Sequence, residues 1–370
     1  MKKVFVQIVG CCRRRSLDAT KLVNYFRLNK CNIVKKAQEA DYIILLTCAY
    51  KQSKEDECFK LIKQLQNYGG ELVILGCLPA ISPTKFREKF NGKYIIPQKL
   101  EEIDIFFKDF KIKFSELPDG NKEFGLSQEE NKDCLLRIGW GCISNCSYCA
   151  IPKATGTLKS KPLGVCLEEY RMLLERGYKE FNICAENVGS YGVDIKSSLQ
   201  VLLEKMEGVE GKQKVYWNIH EIHPKWVIEY KSDLIKWVKK GKIKCLGCTI
   251  QSGSDRILKL MNRYDKSEDI VKTLLELKKA NSNLYLSTHV LVGFPSETEE
   301  DLEDTLNVIK QIGFDMVIVY VYTLREGTAA YKLEGRIDNR VKREMLQKTL
   351  DFCKSNNITA ISDEVCFLDG

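Results

Sequence analysis

The chain lacks a long hydrophobic run. No stretch of its 370 residues approaches the roughly 20 apolar residues that cross a bilayer. The longest apolar runs, Tyr42 to Leu46 and Met316 to Tyr322, read as buried strands. The opening Met1 to Gly10 holds too short an apolar run for a signal peptide. A cytoplasmic chain with no membrane partner is the expectation. No internal repeat or low-complexity tract is present. Histidine is scarce, with three in the chain. His220 and His223 are close together, but no further ligand set accompanies them, so zinc is not expected there. His289, near a strand end, reads first as a core histidine and second as a substrate contact.

Cysteine, in contrast, is abundant: 16 residues. A disulfide framework belongs to small secreted chains. In a long chain without a secretory start, so many thiols point to metal or redox chemistry. The net charge of +8 permits an anionic partner without requiring one. The length allows two domains and a large core.

Residues 1–114 alternate short apolar runs with helical patterns. Val4 to Val9, Tyr42 to Leu46 and Leu72 to Leu75 read as strands. A helix carries Leu22, Val23 and Phe26 behind Asp18, and another covers Ser53 to Gln66. This order predicts an α/β domain with a doubly wound parallel sheet. A cysteine follows each strand: Cys11 or Cys12, then Cys48, then Cys77. Ligands bind at the carboxyl ends of strands in such sheets. The three thiols therefore make a candidate shared metal site.

Residues 115–133 are polar and charged and read as a linker. From 134 to 370 six strand candidates alternate with helices: Leu135 to Ile138, Glu180 to Ala185, Val215 to Ile219, Cys245 to Ile250, Leu284 to Leu291 and Met316 to Tyr322. Six β/α units predict a partial TIM-type barrel, with its site at the strands' carboxyl ends. After the first of these strands comes Cys142-Ile143-Ser144-Asn145-Cys146-Ser147-Tyr148-Cys149. Three thiolates in one short loop suit an iron–sulfur cube and leave its fourth iron open. An open position is the mark of a catalytic metal site. Cys245 and Cys248 also form a C-x-x-C, but within a buried strand they read as packing. Cys31, Cys58, Cys134, Cys166, Cys184, Cys353 and Cys366 share no consistent spacing and read mostly as structural.

Gly141 before the first loop cysteine and Tyr148 before the last fit the radical S-adenosylmethionine (SAM) pattern. Further matches are Gly10-Cys11, Thr47-Cys48-Ala49-Tyr50, Gly76-Cys77-Leu78, Cys149-Ala150-Ile151-Pro152, Ser160-Lys161-Pro162 and Glu186 to Gly192. Gln251 to Leu258, Met261-Asn262-Arg263, Gly293 to Asp301 and Arg325-Glu326-Gly327-Thr328 complete the set. On these residues the chain resembles the radical SAM methylthiotransferase family across nearly its full length. That resemblance implies a flavodoxin-like N-terminal sheet joined to a radical SAM barrel. It implies a 4Fe-4S cluster on Cys142, Cys146 and Cys149, and an auxiliary 4Fe-4S cluster on Cys48, Cys77 and Cys11, with Cys12 the alternative. It implies SAM as radical source and methyl donor, with Tyr148, Glu186, Asn187, Gln251 and Ser252 as its contacts. The activity implied is replacement of C–H by C–S–CH3, with a reductant such as flavodoxin or ferredoxin.

Some positions depart from the family's pattern. Arg13, Arg14 and Arg15 occupy the loop after the first cysteine, where the family is more neutral. Glu186 stands where Gln is common, Thr155 where Arg is, His289 where Asp is, and Ser296 where Gly is. The family's usual C-terminal β-barrel module, which helps bind tRNA or ribosomal protein, is not expected in the residues that remain. A peptide or protein side chain is therefore the expected substrate, and tRNA adenosine the second reading. A non-catalytic two-cluster electron carrier is a third, and a structural zinc protein the weakest.

Overall fold

A computed structural model describes residues 1–10, 12–119 and 133–362. Cys11, Cys366 and most of the expected linker lie outside the described residues. Strands β1 (Lys3–Ile8), β2 (Asn32–Ile33), β3 (Tyr42–Thr47), β4 (Glu71–Gly76) and β5 (Lys93–Ile95) form one parallel sheet in the order β2-β1-β3-β4-β5. This is the flavodoxin-like order, whose ligand site lies at the β1/β3 switch point. The expected strands are present, and β2 and β5 are additions, too short to carry an apolar pattern. β3 is buried almost throughout, as a central strand covered on both faces must be. One face packs Leu22, Tyr25 and Phe26 of helix α1 (Arg13–Leu28). The other packs Cys58, Phe59 and Ile62 of helix α2 (Gln52–Leu65).

The second sheet begins at β6 (Asp133–Arg137). After a small antiparallel pair, β7 (Gly139–Trp140) with β8 (Lys159–Ser160), it continues through β9 (Glu180–Cys184), β10 (Tyr216–Ile222), β11 (Ile243–Cys248), β12 (Tyr285–Val292) and β13 (Met316–Val321). These six long strands pair in parallel and in chain order, which is the expected partial barrel. A seventh strand, β14 (Thr359–Ser362), adds to β13. Its four residues follow a helix and show no apolar run, so the sequence did not reveal it.

Three local expectations change. Arg13 to Arg15 are not a loop: they are the first turn of α1, which starts directly after Cys12. Asp18 lies inside that helix rather than before it. At the linker's start, Phe114–Glu116 form a short 3-10 helix and Asp119 is buried between Arg137 and Lys161. Ser296 has φ +62°, the left-handed region that favours glycine, at the position where the family has Gly.

The two sheets share packing. Ala150 and Ala154, from the segment after Cys149, belong to the same apolar cluster as Ile43, Ile74 and Ile81. Arg325, beyond β13, reaches Glu55 of α2 at 2.8 Å, and both side chains are buried.

Candidate active site between the sheet and the barrel

The thiol loop is held by its backbone. Gly141 has φ +71°, and a side chain there would collide with the Thr157 carbonyl. The Cys142 N–H donates to the Gly156 carbonyl, and the Cys149 N–H to the Cys146 carbonyl. The Ser144 N–H donates to Cys142 Sγ at 3.3 Å. A short helix, Ile151–Thr155, then starts with Pro152 in its first turn, where no N–H is needed. Residues 260–263 grip the loop from the other side. The Ser147 N–H donates to the Met261 carbonyl at 2.9 Å, Ser147 Oγ to the Leu260 carbonyl at 2.8 Å, and Asn262 Nδ2 to the Asn145 carbonyl at 2.7 Å.

Burial, together with the charge of Cys146, pushes the Cys149 thiol up to about 12. Burial also raises Cys142. Such thiols stay protonated by themselves, and ligation by iron is what would make them thiolates. All-sulfur donors from one loop, two of them already accepting hydrogen bonds from Ser144 and Arg263, are the chemistry an iron–sulfur cluster requires. Among the described residues no group of three His, Cys, Asp or Glu could hold a single metal ion.

The second thiol set lies at the carboxyl edge of the N-terminal sheet. Cys48 follows β3 and Cys77 follows β4, and the Cys77 N–H donates to the Thr47 carbonyl at 3.1 Å. Cys12 precedes α1 and acts electrostatically on both Cys48 and Cys77. Burial, only partly offset by Arg15, pushes Cys77 up to about 12. Cys58, one of the cysteines read as structural, packs against Cys48 and exchanges two hydrogen bonds with its backbone.

Between the thiol sets sits a buried charge network that the sequence did not reveal. Arg14 reaches across to the barrel, donating to the Ala185 carbonyl at 3.0 Å and pairing with Glu186 at 3.6 Å and Glu221 at 3.1 Å. Arg15 pairs with Asp18 at 2.5 Å and Glu186 at 3.5 Å. Arg137 donates to Asp18 at 2.7 Å and to the Arg14 carbonyl. Of the three consecutive arginines only Arg13 is exposed. Glu186 follows the end of β9 and Glu221 is the penultimate residue of β10, and their charges neutralise the cations brought in by α1.

The other expected SAM contacts fall in different settings. Asn187 donates to Ser144 Oγ at 3.1 Å and accepts from the His223 N–H, so it buttresses the thiol loop. Gln251, at φ +73°, and Tyr148 line one cavity with Cys149, Tyr50, Leu291 and Arg325. Ser252 is turned inward, bonded to Thr305 Oγ1 at 3.2 Å. His220 bonds Asn182, and His223 accepts the Lys225 N–H at a helix start, so the two rings serve different partners. Burial holds His220 down to about 4 and His223 down to about 2. His289 stacks edge-on to Tyr320, and burial keeps it neutral too.

A partial barrel with a three-cysteine loop at its strand ends defines a radical SAM enzyme. The model of the radical SAM superfamily matches residues 136–309, and that of the uncharacterized protein family UPF0004 matches residues 3–96. Over 363 residues the chain is 30% identical to a tRNA-2-methylthio-N(6)-dimethylallyladenosine synthase of Thermodesulfovibrio yellowstonii, covering 94% of this chain and 82% of that protein. It is 28% identical to the ribosomal protein uS12 methylthiotransferase RimO of Thermotoga maritima, with coverage of 94% and 82%. The radical SAM methyltransferase TsrM of Kitasatospora setae shares the fold at a TM-score of 0.67 and 10% identity, over 90% of this chain and 75% of that one. The chain belongs to the radical SAM methylthiotransferases. That pairing of domains implies SAM and two 4Fe-4S clusters.

Proposed function

We propose that this chain replaces a C–H bond of a peptide or protein side chain by C–S–CH3. The observation that carries the two-site reading is Arg14, which stands two residues after Cys12 in the N-terminal domain and reaches the Ala185 carbonyl, Glu186 and Glu221 at the barrel's strand ends. Cys142, Cys146 and Cys149 would hold one cluster. Cys48 and Cys77 would hold the other with a third thiol, Cys11 as the sequence favours or Cys12, which acts electrostatically on both. When bound, the clusters and SAM supply the carbon-radical, sulfur and methyl chemistry.

The chain's own residues supply position. Arg14, clasped by Ala185, Glu186 and Glu221, docks the start of α1 against the barrel's strand ends. Tyr148 and Gln251 line the cavity between the two layers, and Tyr50 and Leu291 give it apolar walls. Asn187 fixes the loop through Ser144.

The substrate reading rests on charge. Arg14 and Arg15, in the first turn of α1, are neutralised by Glu186, Glu221 and Asp18 and leave little for a phosphate backbone. The +8 net charge and the tRNA-modifying relatives favour tRNA as the second reading. A flavodoxin- or ferredoxin-type donor and a cytoplasmic location complete the proposal. No helix among the described residues is long and apolar enough to cross a membrane. The test is comparative mass spectrometry of a parent and a deletion strain, on digested tRNA and on peptides, seeking loss of an S–CH3-for-H modification. Loss from a peptide upholds the reading. Loss from a tRNA nucleoside alone replaces it with the second.

A further inference from the structure

Arg263 is a buried cation with an unusual set of partners. Its Nη1 donates to Cys146 Sγ at 3.3 Å and to the Tyr148 hydroxyl at 3.2 Å, and its Nη2 donates to the Thr249 carbonyl. Its Nε is buried without a hydrogen-bond partner. Among the described residues no carboxylate pairs with it, whereas Arg14, Arg15, Arg137 and Arg325 each have one. A buried guanidinium without a counter-charge is costly. The sulfur of Cys146 lies within its reach and would become that counter-charge on binding iron.

A merely mechanical tie would not need this charge. Ser147 and Asn262 already fasten the loop to residues 260–262 with neutral hydrogen bonds. Arg263 adds a positive charge on a ligand sulfur, and hydrogen bonds to sulfur and local charge set cluster potentials. We propose that Arg263 is a positioning residue for the Cys142, Cys146 and Cys149 site that raises the reduction potential of the cluster held there. The inference rests on the assignment of a cluster to those cysteines.

The test uses the full chain with Cys48→Ala and Cys77→Ala, so that one cluster is observed, and follows its spin signal in an anaerobic redox titration. That parent must show a reducible cluster; if it shows none, the cluster assignment itself fails. Arg263→Gln should retain iron and lower the midpoint potential. Arg263→Lys keeps a charge but cannot bond Cys146, Tyr148 and Thr249 at once, and should fall between. Asn262→Gly removes a loop tie without straining a backbone at φ +52° and should leave the potential unchanged. A potential equal to the parent's in Arg263→Gln or Arg263→Lys overturns the proposal. So does loss of iron from both while Asn262→Gly retains it, because that leaves only a structural role.

Discussion

Substituting Glu55→Gln should loosen the docking of the N-terminal sheet on the barrel. Glu55 lies in α2 and accepts from Arg325 at 2.8 Å, from Ser82 at 2.6 Å and from Lys85 at 2.9 Å. The Glu55 and Arg325 side chains are only 4% and 7% exposed, so neither charge can turn to water in place. Removing one partner of a buried pair costs about 3–5 kcal/mol, because the other charge stays buried. Gln keeps an acceptor for Arg325 Nη1, and Lys85 is 40% exposed and can rehydrate, so the lower end, about 3 kcal/mol, applies. Arg325 Nε and Nη2 already lack partners, so no spare contact offsets the loss. Local opening of α2 should then become roughly 100-fold more frequent, at tenfold per 1.4 kcal/mol. Hydrogen exchange of the amides in Gln52–Leu65 reads this directly. The double variant Glu55→Gln/Arg325→Met removes both charges and should be less destabilised than the sum of the single changes, by about 0.5–3 kcal/mol. A change in exchange below about threefold for Glu55→Gln, or strict additivity in the double variant, would refute the argument that this pair is a desolvated clasp.

Replacing Cys142, Cys146 and Cys149 together by Ala should abolish SAM cleavage and leave roughly half the iron, measured by iron assay and 5'-deoxyadenosine formation. Retention of none or all of the iron would contradict the two-cluster assignment. Gly141→Ala should reduce that cluster's iron without touching a ligand, because the new methyl meets the Thr157 carbonyl and the backbone sits at φ +71°; full loading would count against a fixed loop. Burial pushes the Glu297 carboxyl up to about 7, although the Phe294 and Gly293 N–H groups stabilise its anion. Because this is above the unfolded value of about 4.3, the folded state binds more protons in that window, and stability falls as pH rises from about 4 to 7. Glu297→Gln has no proton to lose, so its stability relative to the parent should be greater at pH 8 than at pH 5.5 in urea melts. Parallel pH profiles would exclude this.

What the sequence determined by itself is the part written in local order. The C-x-x-x-C-x-x-C spacing, the cysteine after each of three apolar runs, and the alternation of strand and helix patterns need no knowledge of distant contacts. The start of helix Glu299–Ile312 is likewise set locally, because Thr298 and Asp301 form a reciprocal cap. Short strands such as β2 and β14 were not, since two to four residues carry no period and exist only by pairing with a neighbour. Charge was the least legible feature. Arg13, Arg14 and Arg15 look alike in sequence, yet Arg13 is exposed, Arg14 is half-buried against Glu186 and Glu221, and Arg15 is buried beside Asp18. Asp18 is a neighbour on the same helix, but Glu186 and Glu221 lie on the barrel, about two hundred residues away. Glu186 and Asn187 are adjacent, but one faces the arginines of α1 and the other the thiol loop. Whether a charge is solvated, paired or left facing a sulfur, as at Arg263, depends on which surfaces close over it. Only tertiary packing decides that, because it alone sets the distance and the dielectric between groups far apart in the chain.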